Sequence, residues 1–293
     1  MQKRDKRCLP RGKSIFTLSF AFMLFCVAAL IGISDYIYNV SSKELESSLI
    51  EYRMTDVRNI ASSLNDELAT IQNQCHLMLL DKNIQALAAT RATMKRYEVS
   101  DYSRKIIERL SNCLSQYSMI STLQIMFPHD NYMITDMTAY TISPERTNEF
   151  LRIIDDFPAG FFYTDKGIGF WSTYPYPFSQ SKKDKSTLRM GCIEMSEDSI
   201  LKTLDAYKET VHDCELLLMV DNRIIVQTQA SDWILEKGLS LDNQPGHYRL
   251  QHDGQDYFLL YQNMKAANIT ACILTPIDSA MPACIAFSIS CRF

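Results

Sequence analysis

From Ser14 to Ser34 the chain runs for 21 residues without a charged side chain, SIFTLSFAFMLFCVAALIGIS. A helix rises about 1.5 Å per residue, so about 20 such residues span the hydrocarbon core of a bilayer. Six basic side chains (Lys3, Arg4, Lys6, Arg7, Arg11, Lys13) and one acid, Asp5, stand before it. The positive-inside rule then places that stub in the cytoplasm and Asp35 onward outside. A cleaved signal peptide is the rival reading, with the small-x-small pattern Gly32-Ile33-Ser34 in its favour. The run is longer than the roughly 7–15 residues of a signal core, which favours an uncleaved, single-pass anchor. A lipoprotein cleavage at Cys26 is opposed by the bulky Leu24 and Phe25 before it.

Charge is unevenly placed. Removing those six bases and one acid from totals of 30 and 34 leaves 24 bases and 33 acids after position 13. An acidic body does not bind a phosphate backbone, so nucleic acid is not an expected partner of this chain. With 46% hydrophobic residues the body has enough apolar mass for a buried core.

Glycine and proline divide the rest. None occurs between Gly32 and Pro128, whereas seven of the nine glycines lie at or beyond Gly160. The first stretch is therefore expected to be helical and the second built of strands and turns. Ile50, Val57, Leu64, Ile71 and Met78 recur every seven residues, with Met54, Ala61, Leu68 and Cys75 interleaved. That stripe predicts a long amphipathic helix to about Leu80. Packing against its own domain and a homodimer seam along this helix explain the stripe equally well. A second helix is predicted over Asp101–Tyr117, with Ile106, Ile107, Leu110 and Leu114 on its buried side.

Two strand groups follow. In the first, Thr122–Phe127 and Tyr132–Met137 flank the turn His129-Asp130-Asn131. Ser143-Pro144-Glu145 opens a helix, strands follow at Ile168–Tyr174 and Leu188–Met195, and Ser196 caps a helix to about Lys208. In the second, Cys214–Val220 turns at Asp221-Asn222 into Ile224–Gln229. A short irregular or helical stretch near Trp233 leads to Tyr248–His252, the hairpin signal Asp253-Gly254, Tyr257–Tyr261 and Ile269–Thr275. The fold class is α+β, with antiparallel sheets carrying helices on one face.

Chemistry is sparse. No GxSxG, HExxH, P-loop or Gly-rich dinucleotide fingerprint occurs, so no enzyme is expected. The five histidines (His76, His129, His212, His247, His252) are scattered, and no CxxC is found among nine cysteines. No metal site, catalytic group or cofactor is expected. Cys8 lies inside, Cys26 in the span, Cys75, Cys113, Cys192, Cys214 and Cys272 outside, and Cys284 and Cys291 in the tail. An odd number of external cysteines on apolar positions fits buried thiols better than a disulfide framework.

An anchor, a long outward helix and two strand groups of this order resemble the double Cache sensor region. The likeness is to that region of bacterial AraC-type membrane regulators and sensor histidine kinases. It covers roughly Ser14 to Ser279, and the best local match is the exit strand Asn268–Asp278. The hairpin Leu216–Val226 also fits the family's second module. The resemblance implies a stub at 1–13, a transmembrane helix at 14–38 and sensor helices at 39–120. Two PAS-like modules would follow, membrane-distal at 121–210 and membrane-proximal at 211–278, then a tail at 279–293. The family continues into a second span and an output domain. Here 15 residues follow Asp278, broken by Pro282, too few for a regular helix to cross about 30 Å of hydrocarbon. A truncated or frame-shifted product, or a split protein signalling through a partner, is the resulting expectation.

The stretch Gly167–Pro177 (GIGFWSTYPYP) mixes aromatics, hydroxyls and glycines, as the wall of a small-molecule pocket does. The resemblance puts a ligand between the sheet and the segment before this strand. Tyr132, Asp136, Tyr140, Trp171, Thr173 and Arg189 become the candidate ligand-binding residues, Arg189 for a carboxylate and Asp136 for an amine. The implied function is extracytoplasmic sensing of a small molecule of open class, relayed by the long helix. The alternative is an anchored, dimeric interaction ectodomain without a small-molecule ligand.

Overall fold

The computed structural model describes residues 11–156, 160–164, 167–174, 188–211, 213–220, 223–229, 231–239, 241, 244–265 and 267–277. Helix α1 (Arg11–Leu79) runs through the uncharged segment and on into the glycine- and proline-free stretch, ending close to the expected Leu80. Contacts divide the chain into two units, residues 1–52 with 283–293, and residues 53–282. In the first unit α1 is long and apolar enough to cross a membrane, and none of its apolar window is buried. Phe16, Leu18, Phe22 and Phe25 all present their side chains outward, as a lipid-facing segment must.

In the second unit the stripe on α1 belongs to the core. Met54, Val57, Ala61, Leu64, Leu68, Ile71, Cys75 and Met78 are all buried within this one chain. Of the two explanations for the stripe, self-packing accounts for it from Met54 onward. Helix α2 (Lys82–Thr90) has no counterpart among the expected elements. Asp81 caps it, accepting from the backbone N–H of Asn83 at 2.7 Å, and also pairs with Arg109. Helix α3 (Arg96–Gln116) starts five residues earlier than expected, and its buried side is Ser103, Ile106, Leu110 and Cys113.

The first sheet holds β1 (Thr122–Phe127), β2 (Tyr132–Thr135), β3 (Ala139–Thr141), β4 (Gly160–Thr164), β5 (Gly167–Tyr174) and β6 (Arg189–Ser196). The second holds β7 (Glu215–Val220), β8 (Arg223–Gln227), β9 (Gly246–His252), β10 (Gln255–Met264) and β11 (Ile269–Pro276). Their orders are β3-β2-β1-β6-β5-β4 and β8-β7-β11-β10-β9, antiparallel throughout. Without the edge strand β3 the two orders are the same, so one topology is used twice. Helix α4 (Pro144–Asp156) bridges β3 to β4, and α5 (Glu197–Lys208) joins the two sheets. In the second sheet a 3-10 segment, Asp232–Lys237, takes the place that α4 has in the first.

Local signals explain the turns. Asn131 adopts φ 48° after the 3-10 turn Pro128–Asp130, and Asp253 and Gly254 adopt φ 50° and 78°, which suits a type I′ turn. Ser143 Oγ accepts from Arg146 N at 3.3 Å, and Ser196 Oγ from Ser199 N at 3.3 Å, each capping its helix. The expected turn at Asp221-Asn222, the tail and the stretch Pro175–Pro177 lie outside the described residues.

One expectation is corrected. The first sheet has helices on both faces, not one. Cys75 and Leu79 of α1 pack on Gly191, while Phe150 and Leu151 of α4 pack on the opposite side. Burial of β5 from Gly167 through Thr173 records this double cover. Beside the second sheet, Val57 and Ile60 of α1 and Leu204 of α5 meet Leu216, Leu218, Ala271 and Ile273 around an apolar cavity of about 10 Å³.

Candidate functional site

Strand register decides which candidate residues share a surface. Across the first sheet Trp171 pairs with Cys192, Thr173 with Met190, Met190 with Met126, Met126 with Met133, and Met133 with Tyr140. Directly opposed residues share a face, and so do residues two apart on one strand. Trp171, Thr173 and Tyr140 therefore lie on the α4 side. Tyr174 pairs with Arg189, Ser172 with Gly191, and Phe127 with Tyr132, which puts Arg189 and Tyr132 on the opposite side, towards α1 and α3.

The α4 side is apolar. Met126, Met133, Ile142, Trp171 and Met190 form one buried cluster, with Phe150, Leu151 and Phe162 packed against it. Trp171 is 3% exposed and Thr173 2%. Among the described residues neither the Trp171 indole Nε1 nor the Thr173 hydroxyl has a hydrogen-bond partner. A buried polar group left unpaired costs about 1–3 kcal/mol, so two together on one wall require an explanation. The Tyr140 hydroxyl donates to Met133 Sδ at 3.2 Å. Asp136 is half-buried just beyond β2, its backbone N–H donating to Leu123 O at 3.2 Å.

The α1 side is a structural joint. Arg189 Nε donates to the Leu79 carbonyl at 2.6 Å, satisfying an otherwise open acceptor at the end of α1. The guanidinium lies over the Tyr174 ring, 4.0 Å from its centroid. Burial lowers the Arg189 pKa from its usual value, with the Tyr174 phenol acting in the other direction. Ser172 Oγ and His76 Nδ1 are 2.7 Å apart. Tyr132 is held between the Arg91 guanidinium, 3.9 Å from its ring centroid, and the Ser103 hydroxyl, 2.9 Å from its own.

Sequence reasoning therefore named three residues of the apolar wall and two of the joint. It missed Met126, Met133, Ile142 and Met190, which sit on separate segments and are brought together only by strand pairing. It also missed His76 and Ser172.

Other candidate chemistry is not brought together. Among the described residues no group of three His, Cys, Asp or Glu side chains could hold a metal. His129 lies in the 3-10 turn before β2, His252 stacks on Trp233 with ring centroids 4.3 Å apart, and His212 lies outside the described residues. Cys75, Cys113, Cys214 and Cys272 are buried, and Cys192 partly so. Burial pushes Cys192 up to about 12 and Cys214 to about 11, so these thiols stay protonated and poorly nucleophilic.

No family model matches the sequence, and no curated protein matches it. Solved structures match its fold. The ligand-binding domain of Mlp24 with asparagine superposes with a TM-score of 0.54 at 12% identity, over 83% of this chain and 98% of that one. The sensory domain of the Campylobacter jejuni chemoreceptor Tlp3 with isoleucine bound gives 0.52 at 12%, over 81% and 96%. The extracellular domain of the candidate histidine kinase rpHK1S-Z16 gives 0.51 at 14%, over 80% and 98%. At such identities the likeness is one of fold. The chain shares the fold of these solved domains, a long N-terminal helix followed by two antiparallel sheets.

Proposed function

We propose that this protein is a membrane-anchored extracytoplasmic sensor that binds a small molecule between the first sheet and α4. One observation carries the reading: Trp171 Nε1 and Thr173 Oγ1 are buried in an apolar wall with no hydrogen-bond partner among the described residues. A ligand supplying acceptors there would satisfy both groups. The fold neighbours include the sensory domain of the chemoreceptor Tlp3 with isoleucine bound and the ligand-binding domain of Mlp24 with asparagine, which supports the same reading. The basic stub before the apolar run supports a cytoplasmic N-terminus.

In this reading Trp171, Thr173 and Tyr140 face the ligand, whereas Asp136, opposite Leu123 in the strand register, lies on the other face of the sheet. Arg189 and Tyr132 transmit instead of bind, because they fasten β6 and β2, the strands that carry Met190 and Met133 of the wall, to α1 and α3. Ligand affinity that differs between two strand positions biases α1, and each tenfold difference is worth about 1.4 kcal/mol. A homodimer contact would use α1 before Arg53, since the stripe beyond it is spent on the core. A signalling output is supported by the kinase and chemoreceptor neighbours; an AraC-type output rests on the resemblance alone.

The test is a thermal-shift screen of the full chain in nanodiscs against amino acids, sugars, organic acids and short peptides. A ligand at one hundred times its dissociation constant adds about 2.7 kcal/mol. A specific shift lost in Trp171→Ala supports the sensor. A flat screen on a folded protein rejects it in favour of a protein partner.

A further inference from the structure

The ligand class can be read from what the α4 side lacks. Three methionines, Met126, Met133 and Met190, line it with Ile142, Phe150 and Phe162. On α4 the charged side chains Glu145, Arg146, Glu149 and Arg152 are all exposed, and the helix turns Thr147, Phe150 and Leu151 inward. On the sheet Glu194 is exposed and accepts from Thr122 Oγ1 at 2.9 Å. Arg189, the buried cation of β6, faces α1 and is bound to Leu79. Among the described residues no charged side chain is buried on this face.

A carboxylate or ammonium placed there would lose its hydration without gaining an ion pair, a heavy cost in an apolar site. The two open groups are neutral. The indole N–H can only donate, and the threonine hydroxyl donates or accepts. They stand two residues apart on one strand, about 6.5 Å along it. Methionine side chains adapt to irregular apolar shapes and pack well against rings. Phe162, half-buried on the edge strand, lies across Gly169, where any Cβ would collide with its ring. Its displacement would open room without moving backbone.

We infer that the site takes an uncharged, largely apolar small molecule carrying a carbonyl, amide or hydroxyl oxygen, and not a zwitterion. This rests on the site proposed above. The acceptor oxygen takes the Trp171 N–H, a second polar atom meets Thr173, and the apolar body lies among the methionines.

The chain contains two tryptophans, so the full chain in nanodiscs, labelled with 15N-tryptophan, shows two indole cross-peaks. Trp233→Phe identifies that of Trp171. The probes are 3-phenylpropanamide and 4-methylpentanamide, each titrated against its charged counterpart, phenylalanine or leucine. The expected result is a saturable downfield shift of the Trp171 peak by the amides, with at least about tenfold weaker response to the amino acids. Thr173→Val should weaken the amide response while the Trp233 peak stays in place. If phenylalanine or leucine moves the Trp171 peak as readily as its amide, the ligand class is wrong and the site stands. If neither amide moves that peak, the inference is overturned, and the screen above decides separately whether the face binds anything.

Discussion

Ser172 Oγ and His76 Nδ1 lie 2.7 Å apart and join β5 to α1 between two residues of the apolar wall, Trp171 and Thr173. On β6 the same alternation holds, with Arg189 fastened to the end of α1 and Met190 in the wall. Each strand therefore touches the proposed ligand with one residue and the long helix with the next. A shift of strand position on one face becomes a change of hydrogen bonding on the other.

That joint predicts a pH effect. Burial lowers the His76 pKa, so the folded protein takes up this proton less readily than the unfolded chain. The neutral-His76 contribution is fully present above the unfolded value of about 6.5. It declines as pH falls from there towards the lowered folded value. Thermal unfolding of the wild type should thus lose more between pH 7.5 and 5 than that of His76→Gln. Equal losses would show that His76 does not titrate into the fold.

Arg189→Met should cost about 2–3 kcal/mol by leaving the Leu79 carbonyl unpaired and removing the stack on Tyr174. Arg189→Lys should recover little, because an ammonium cannot reproduce the directed Nε–H and the planar stack. Full recovery by lysine in a denaturation midpoint would mean that charge alone matters there.

Gly191 has no room for a side chain. A Cβ would lie 2.8 Å from Cys75 Sγ and 3.5 Å from Leu79, so Gly191→Ala should destabilise by about 1–3 kcal/mol. Cys75→Ala should rescue part of that loss. Strict additivity of the two substitutions in a double-mutant cycle would contradict the contact.

Thr173→Val keeps the shape of the side chain and removes a buried hydroxyl that has no partner among the described residues. The ligand-free protein should gain about 1 kcal/mol, or about 2–4 °C in Tm for a body of this size. A group that lowers stability is retained where it serves binding. A loss of Tm in Thr173→Val would mean that the hydroxyl is already paired.

Asp81 carries two duties, capping α2 and pairing with Arg109. Asp81→Asn keeps the cap and loses the charge, while Asp81→Ala loses both. Alanine should cost about 1–2 kcal/mol more than asparagine, measured by chemical denaturation.

The sequence alone was enough for features that depend on neighbours along the chain. The uncharged run marked the membrane-type segment, the missing glycines and prolines marked α1 and α3, and Ser196 and Asp253-Gly254 marked a cap and a hairpin. Each follows from local backbone chemistry. The α2 helix escaped because nine residues with a modest stripe depend on Asp81 and Arg109, which are 28 positions apart. The seven-residue stripe of α1 could not reveal its own partner, since a dimer seam and a domain core ask for the same side chains. Period two showed that Trp171 and Ser172 face apart. Only the pairing of β6 with β1, across more than sixty residues, together with the docking of α1 and α4, decided which face each helix covers. Burial on both faces then placed Trp171 and Thr173 in an apolar wall and Arg189 at the end of a helix, a choice set by long-range packing.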